Sequence, residues 1–369
     1  MNNSDSAKKY HQIKNRLFFV NILVNILFLL FLSLSGLSIF LKNQILNFTQ
    51  QFFLVNALYA FCFCIIFDAV GFPLSLYEGF ILEHRFNLSN QRFTGWLKDF
   101  FKNAILGLVV ILIAAEAVYI FLRKFPYHWW IWATFFWLFL TVVIAKITPS
   151  LIIPLFFKYR TLERAGLKTK LFVLLDKCGV KIKDIFYIDL SQKTKKANAF
   201  ICGLGNNRRL VLSDTLLEKF SDEEVRGVVA HELGHYKDHD LFKMVLANTV
   251  ASFFSFFLIS IILEKLLRYF GFSRIDDIAF LPIFFLSIFL LGLVLLPILN
   301  AFNRNLERKA DLFSLQLTAD PDNFISMMKK LGELNLADLS PHRFIEILLY
   351  DHPPISKRIK LAEAFKKDV

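Results

Sequence analysis

Cysteine is scarce: Cys62, Cys64, Cys178 and Cys202 are the only four in 369 residues. Their spacing matches neither a zinc-ligand set nor a disulfide framework, which excludes a zinc finger and a disulfide-stapled secreted fold. No internal repeat or low-complexity tract occurs, so a repeat architecture is excluded as well. The first apolar run lacks a small-residue cleavage site and is too long for a signal-peptide core. Following the basic segment with Lys8, Lys9, Lys14 and Arg16, it is expected to remain as a membrane anchor. Acidic residues are in deficit, 31 against 43 Lys and Arg, for a net charge of +12. The surplus sits at the N-terminus, in 158–209 and from Arg304 onward, while loops 42–51, 123–128 and 267–278 hold few basic residues. Membrane topology alone would place them so, and no nucleic-acid partner is implied.

Apolar residues are abundant. They make up 56% of the chain, with 44 Phe and a mean hydropathy of +0.49. They fall in runs long enough to cross a bilayer, at about 17–41, 52–80, 103–122, 128–157, 242–266 and 279–301. The fold class expected is therefore an all-α polytopic membrane protein of about six transmembrane helices around an interior chamber, with a small α+β cytoplasmic domain. Four regions follow: an N-terminal transmembrane region 1–157, a polar insert 158–240, two further spans in 241–301, and C-terminal helices in 302–369. The positive-inside rule puts both termini and the insert in the cytoplasm. Asp68, Glu116 and Lys146 lie inside apolar runs, where a lipid-facing charge costs several kcal/mol, so they are expected to face a wet interior or one another.

Residues 231–235 read His-Glu-Leu-Gly-His. On a helix His231 and His235 stand one turn apart on one face, and both imidazoles can hold one zinc ion. Glu232 points to the neighbouring face, where a carboxylate can take a proton from metal-activated water. Two surface histidines on a solvated helix would be the bland alternative. Ser221 followed by Glu224 is a capping-box pattern, so the helix should start there and break near Asp238–Asp240. Upstream, 162–178 has helical periodicity, and the segments 185–188, 197–201 and 210–212 read as a small sheet with a turn at Gly205-Asn206-Asn207. Glu307 and Asp311 form an i, i+4 carboxylate pair on a later helix. A catalytic zinc needs a third protein ligand, for which Glu307 is the candidate, and Asp311 can orient a ligating histidine. The segment 321–367 reads as two or three helices interrupted at His352-Pro353-Pro354.

These motifs, in this order, resemble the type I CAAX prenyl endopeptidases, integral-membrane zinc metalloproteases of the gluzincin kind. The resemblance is carried by Leu74-Ser75-Leu76-Tyr77, Glu83-His84-Arg85-Phe86-Asn87 and Ile153-Pro154-Leu155-Phe156-Phe157-Lys158-Tyr159. It continues through Asn198-Ala199-Phe200 with Gly203, His231 to His235 and on to His239, and Arg304, Glu307, Ala310 and Asp311. It ends at His352-Pro353-Pro354 with Arg358. The chain departs from the family in having six expected spans rather than seven, in Leu82-Glu83, and in Tyr236 where Trp is common. The resemblance implies spans around a water-filled chamber, with the zinc site closing its cytoplasmic side. It also implies that His352 and Arg358 stabilise the oxyanion, that His239, Arg304 and Asp311 support the ligands, and that Asn198, Ala199, Phe200 and Gly203 bind substrate at a strand edge.

The reading adopted is a zinc-dependent membrane endopeptidase with one zinc per chain, held by His231, His235 and Glu307, and with Glu232 as general base. Its partners are a peptide or protein substrate, lipidated in the CAAX case, and the bilayer; no obligate protein partner is evident. Its site is the endoplasmic reticulum in a eukaryote and the inner membrane in a bacterium. Two rivals are a quality-control membrane zinc protease of broad substrate range and a transporter or channel with a structural zinc site. The second is disfavoured because a structural site normally has four protein ligands.

Overall fold

Long apolar helices dominate the chain because a bilayer leaves backbone groups no partner except one another. The computed structural model describes residues 3–203 and 208–368; the turn expected at Gly205-Asn206-Asn207 lies outside them. Helices α1 (Asn3–Leu34), α2 (Leu37–Leu46) and α3 (Phe52–Leu76) come first. A π-helical segment, Tyr77–Leu82, then joins α3 to the short α4 (Glu83–Arg85). Next are α5 (Phe93–Lys124), α6 (Trp129–Ile147) and α7 (Ile153–Phe156).

The polar insert holds β1 (Tyr159–Thr161), α8 (Ala165–Lys177), β2 (Ile185–Ile188), β3 (Ala199–Cys202), β4 (Arg209–Ser213), α9 (Asp214–Lys219) and α10 (Asp222–Lys237). Then come α11 (Asp240–Tyr269), α12 (Leu281–Thr318), α13 (Pro321–Leu334), α14 (Arg343–Leu349) and α15 (Ile355–Asp368). Six helices are long and apolar enough to span a membrane among the described residues.

The first apolar stretch differs from the single span expected over 17–41. The α1 helix stops at Leu34, and Gly36, with φ 78°, turns the chain into α2. Only glycine takes that left-handed backbone without steric cost. The basic N-terminal residues are already helical, since α1 begins at Asn3.

Two cores are separated along the helix axes. One, within the spans, packs Tyr59, Phe63, Tyr119, Trp129, Phe256 and Phe280. The other joins the insert to the C-terminal helices through Leu171, Ile185, Leu212, Val229, Leu233 and Met327. The sheet has four strands in the order β1-β2-β4-β3, with β2 and β4 parallel and the outer pairs antiparallel. The β1 strand was not expected from sequence; it is too short for alternation to register. The β3 strand lies at the sheet edge and pairs with β4 in the register Ala199 with Leu212 to Cys202 with Arg209.

Asp68 lines an open cavity of about 540 Å³ between α3 and α5, together with Asp99 and Asn103. Both Glu116 carboxylate oxygens are buried without a hydrogen-bond partner, and Lys146 is exposed on α6.

Candidate active site

The α10 helix is built to hold its place. Ser221 accepts from the Glu224 backbone N–H, and Glu224 Oε2 accepts from the Ser221 N–H at 2.8 Å, completing the expected capping box. Glu224 is buried and is also bound by Lys330 at 2.6 Å and Ser326 at 2.7 Å, which ties the start of α10 to α13. Asp222, Glu223 and Glu224 in the first turn complement the helix dipole. Val225, Val229 and Leu233 bury one face. The helix ends at Asp238, and His239 takes a left-handed conformation, φ 55°, before α11 starts.

Two short crossings set α10 against α12. A β-carbon built on Gly234 would stand 2.9 Å from the Ala310 Cα, so the glycine is what permits the approach. Two turns earlier on α10, Ser314 Oγ donates to the Gly227 carbonyl at 2.9 Å.

This approach brings His231, His235 and Glu307 together. One ligand atom from each lies within 4.8 Å of the others. His231 Nε2 and His235 Nε2 are 3.2 Å apart, and each is 3.2 Å from one Glu307 oxygen. Such a set of two imidazoles and a carboxylate is one that zinc accepts while keeping a position open. The buried Glu307 Oε2 has no partner with hydrogen-bonding geometry, as expected of an atom placed for an ion. The residues therefore fit a metal.

The far nitrogens of both histidines are also engaged. His231 Nδ1 lies 3.0 Å from Asp311 Oδ1, and His235 Nδ1 lies 2.9 Å from Asp240 Oδ2. Both carboxylates are 1% exposed, and such backing fixes ring orientation and tautomer. Asp240 thus stands where His239 was expected. His239 is exposed and makes no hydrogen bond to the cluster, because its left-handed backbone turns it out at the helix break. The available signal was an acid at the first position of α11, five residues beyond His235.

Arg358 is buried, and its Nε and Nη2 bind the two Asp311 oxygens at 2.8 and 2.5 Å. Its Nη2 is 3.4 Å from His231 Nδ1. The guanidinium is thus engaged behind His231, and it also lines the cavity shared by Glu232 and His352. Arg304 also acts at one remove: its Nη1 donates to the carbonyls of Glu346 at 3.1 Å and Tyr350 at 2.5 Å, which anchors the segment leading to His352. His352 is half exposed, with Nε2 3.2 Å from Glu307 Oε1 and Nδ1 2.8 Å from Asp351.

Electrostatics follow from these contacts. Burial works against the imidazolium at His231, but Asp311 and Glu307 outweigh it and push the pKa up to about 9. At His352 burial is likewise overcome, by Asp351 and Glu307, and the pKa rises to about 10. Glu232 is held above the usual carboxylate range by burial, despite the two nearby histidines.

A groove crosses the cluster. Glu232 and His352 line both a cavity of about 340 Å³ floored by Leu216, Val228, Met327 and Met328, and another of about 490 Å³ bordered by Tyr236, Leu241, Phe242 and Leu306. The β3 edge runs along it: Asn198 and Ala199 line the first cavity, Ile201 and Gly203 the second. Phe200 lies between them and is half-buried. Asn198 N–H donates to Ser213 Oγ at 2.9 Å, and its side-chain oxygen accepts from the Ala199 N–H at 3.0 Å, so the strand proper begins at Ala199, two residues later than the alternation suggests.

The chain matches two family models in succession. One is the CAAX prenyl protease N-terminal model, described as five membrane helices, over residues 2–158; the other is peptidase family M48, over 161–366. A Bacillus subtilis protein named uncharacterized metalloprotease YhfN is 26% identical over 97% of this chain and 84% of its own. The CAAX prenyl protease 1 homolog of Arabidopsis thaliana is 30% identical over 80% of this chain and 70% of its own. The crystal structure of S. mikatae Ste24p superposes with a TM-score of 0.83, covering 98% of this chain and 88% of that one at 22% identity, and so shares the fold. The chain accordingly belongs to peptidase family M48 and is a multi-pass membrane zinc metalloendopeptidase.

Proposed function

We propose that the enzyme cleaves peptides near the C-terminus of prenylated CAAX-type substrates, with one zinc per chain held by His231, His235 and Glu307. Zinc bound there would supply a Lewis acid that polarises the scissile carbonyl and lowers the pKa of water. Glu232, kept basic enough by burial, takes the proton of the attacking water and passes it to the leaving amine. His352, whose Nδ1 is paired with Asp351, donates from Nε2 to the oxygen that gains charge in the transition state. Arg358 works through Asp311, holding His231 in one tautomer. An extended peptide adds to β3, in a register set by Ala199 to Cys202 and Gly203.

The observation that carries this reading is that Glu232 and His352 lie where both cavities meet beneath one strand edge, so a chain lying along β3 presents a peptide bond to them. The names of the Arabidopsis relative and the N-terminal family model support a CAAX substrate. The junction between the two family matches, at 158–161, supports dividing the membrane region 1–157 from the insert. Both termini and the catalytic elements lie in the cytoplasm on this reading. The basic loop bias supports it, and so does the contact of Lys196 with Glu83 at 2.9 Å and with Tyr10 of α1 at 3.3 Å.

The test compares purified wild type with Glu232→Gln on one peptide, prenylated and unprenylated. Wild type should prefer the prenylated form, and Glu232→Gln should cleave neither. Equal cleavage of both forms by wild type would leave the endopeptidase but remove the CAAX substrate.

A further inference from the structure

The catalytic cluster has a basic flank, of which the proposed chemistry uses only Arg358 and Asp311. A cavity of about 470 Å³ opens between α12, α14 and α15, touching Asp311 and Arg358 but none of His231, His235 and Glu307. Its walls carry Arg304, Arg308, Lys357, Arg358 and Lys360 against two carboxylates, Asp311 and Glu346. Three of these cations are committed, Arg304 to backbone carbonyls, Lys357 to Glu346 at 2.6 Å, and Arg358 to Asp311. Arg308 and Lys360 are exposed and form no ion pair among the described residues, so the cavity has an excess of positive charge to offer.

Its depth identifies the anion. From Leu281 to Phe302 the α12 sequence is apolar, apart from Ser287, Asn300 and the small Gly292. At about 1.5 Å per residue that stretch spans about 33 Å, against a hydrocarbon core of about 30 Å. Arg304 then lies about 3 Å beyond Phe302 along the axis, inside a headgroup layer about 5–7 Å deep, and Arg308 about 9 Å beyond, at the outer edge of that layer, from which its long side chain reaches back. Basic pockets between helices at that level bind anionic headgroups.

We infer that the cavity between α12 and α15 is a binding site for the headgroup of an anionic phospholipid in the adjoining leaflet, with Arg308 and Lys360 as its free cationic contacts. A phosphate there shares a wall with Arg358 and Pro353, so the charge of the leaflet is read next to the segment that carries His352.

The full-length protein, purified in detergent, is offered phosphatidylglycerol or phosphatidylcholine, and retained lipid is counted by native mass spectrometry. Wild type should retain phosphatidylglycerol preferentially. Arg308→Ala with Lys360→Ala should weaken that retention about thirtyfold, from about a tenfold loss or less at each cation. Lys309→Ala with Lys329→Ala removes the same charge away from the cavity and should leave retention unchanged. Cleavage of an unlipidated peptide reports that each variant is folded, since neither residue belongs to the catalytic machinery. Equal retention by the cavity variant and wild type would overturn the site. Displacement of phosphatidylglycerol by excess inorganic phosphate would overturn the lipid assignment in favour of a free anion.

Discussion

The Gly234 Cα faces the Ala310 backbone so closely that a methyl group between them would sit 2.9 Å from the Ala310 Cα and 3.2 Å from its carbonyl oxygen. Neither atom belongs to a flexible side chain, so the only relief is to move one helix. His231 and His235 ride on α10 and Glu307 on α12, and any such movement opens the cluster. Gly234→Ala is therefore expected to cost about 1–3 kcal/mol of stability and to weaken metal binding at the same time. Thermal unfolding and metal titration of the purified protein check this together. Gly166→Ala, on α8 with nothing within 4 Å, is the control and should leave metal binding unchanged without lowering stability.

Zinc content should track the three proposed ligands. His235→Ala and Glu307→Ala are each expected to purify with little zinc by elemental analysis, whereas Glu232→Gln keeps one per chain. Full occupancy in Glu307→Ala would transfer the third ligand position elsewhere.

Substitutions along the groove should separate chemistry from binding. His352→Ala removes the proposed transition-state donor and should lower kcat about a hundredfold with little change in KM. Asn198→Ala should act mainly on KM, since an edge strand holds ground and transition states nearly alike. Steady-state kinetics on one peptide read both, and a His352→Ala enzyme with wild-type kcat would remove the oxyanion role.

Metal uptake should depend on pH in a direction set by His231. Its pKa stands above the ordinary 6.5, at about 9, in the metal-free protein. The protonated ring stabilises that form below its unfolded pKa, and the stabilisation is lost as pH rises through about 9. Zinc takes only the neutral imidazole, so binding expels the proton. Affinity should then fall about tenfold per pH unit below about 9 for each proton displaced. Calorimetry of chelator-stripped protein in buffers of different ionisation enthalpy measures the proton count; a pH-independent affinity would contradict it.

Much of this was legible in the chain. Length and hydropathy suffice for six spans, and Ser221 with Glu224 announces the start of α10 because a capping box is a local device. The HExxH spacing places two histidines on one face by helix geometry alone. Other features required tertiary structure. Gly36 reads as one small residue in an apolar run, and nothing local tells that its φ is positive. The backing of His235 by Asp240 depends on a helix break whose angle no pattern encodes. The family resemblance gives Arg358 a role at the oxyanion but not its contact with Asp311, 47 residues away, because only the packing of α15 on α12 brings the two charges together.

The β3 strand has a consequence for what the enzyme can be given. It is four residues long, offering about 13 Å of unpaired backbone, and it is bounded by Gly203 with φ 90°. A folded protein has already paired its own amides and cannot lend that much chain without first unravelling. A ragged tail can, at no such cost. If substrate adds to β3 as proposed, the edge sorts clients by local disorder before any side chain is read, and a substrate whose cleavage point became structured would be spared without a change in its sequence there.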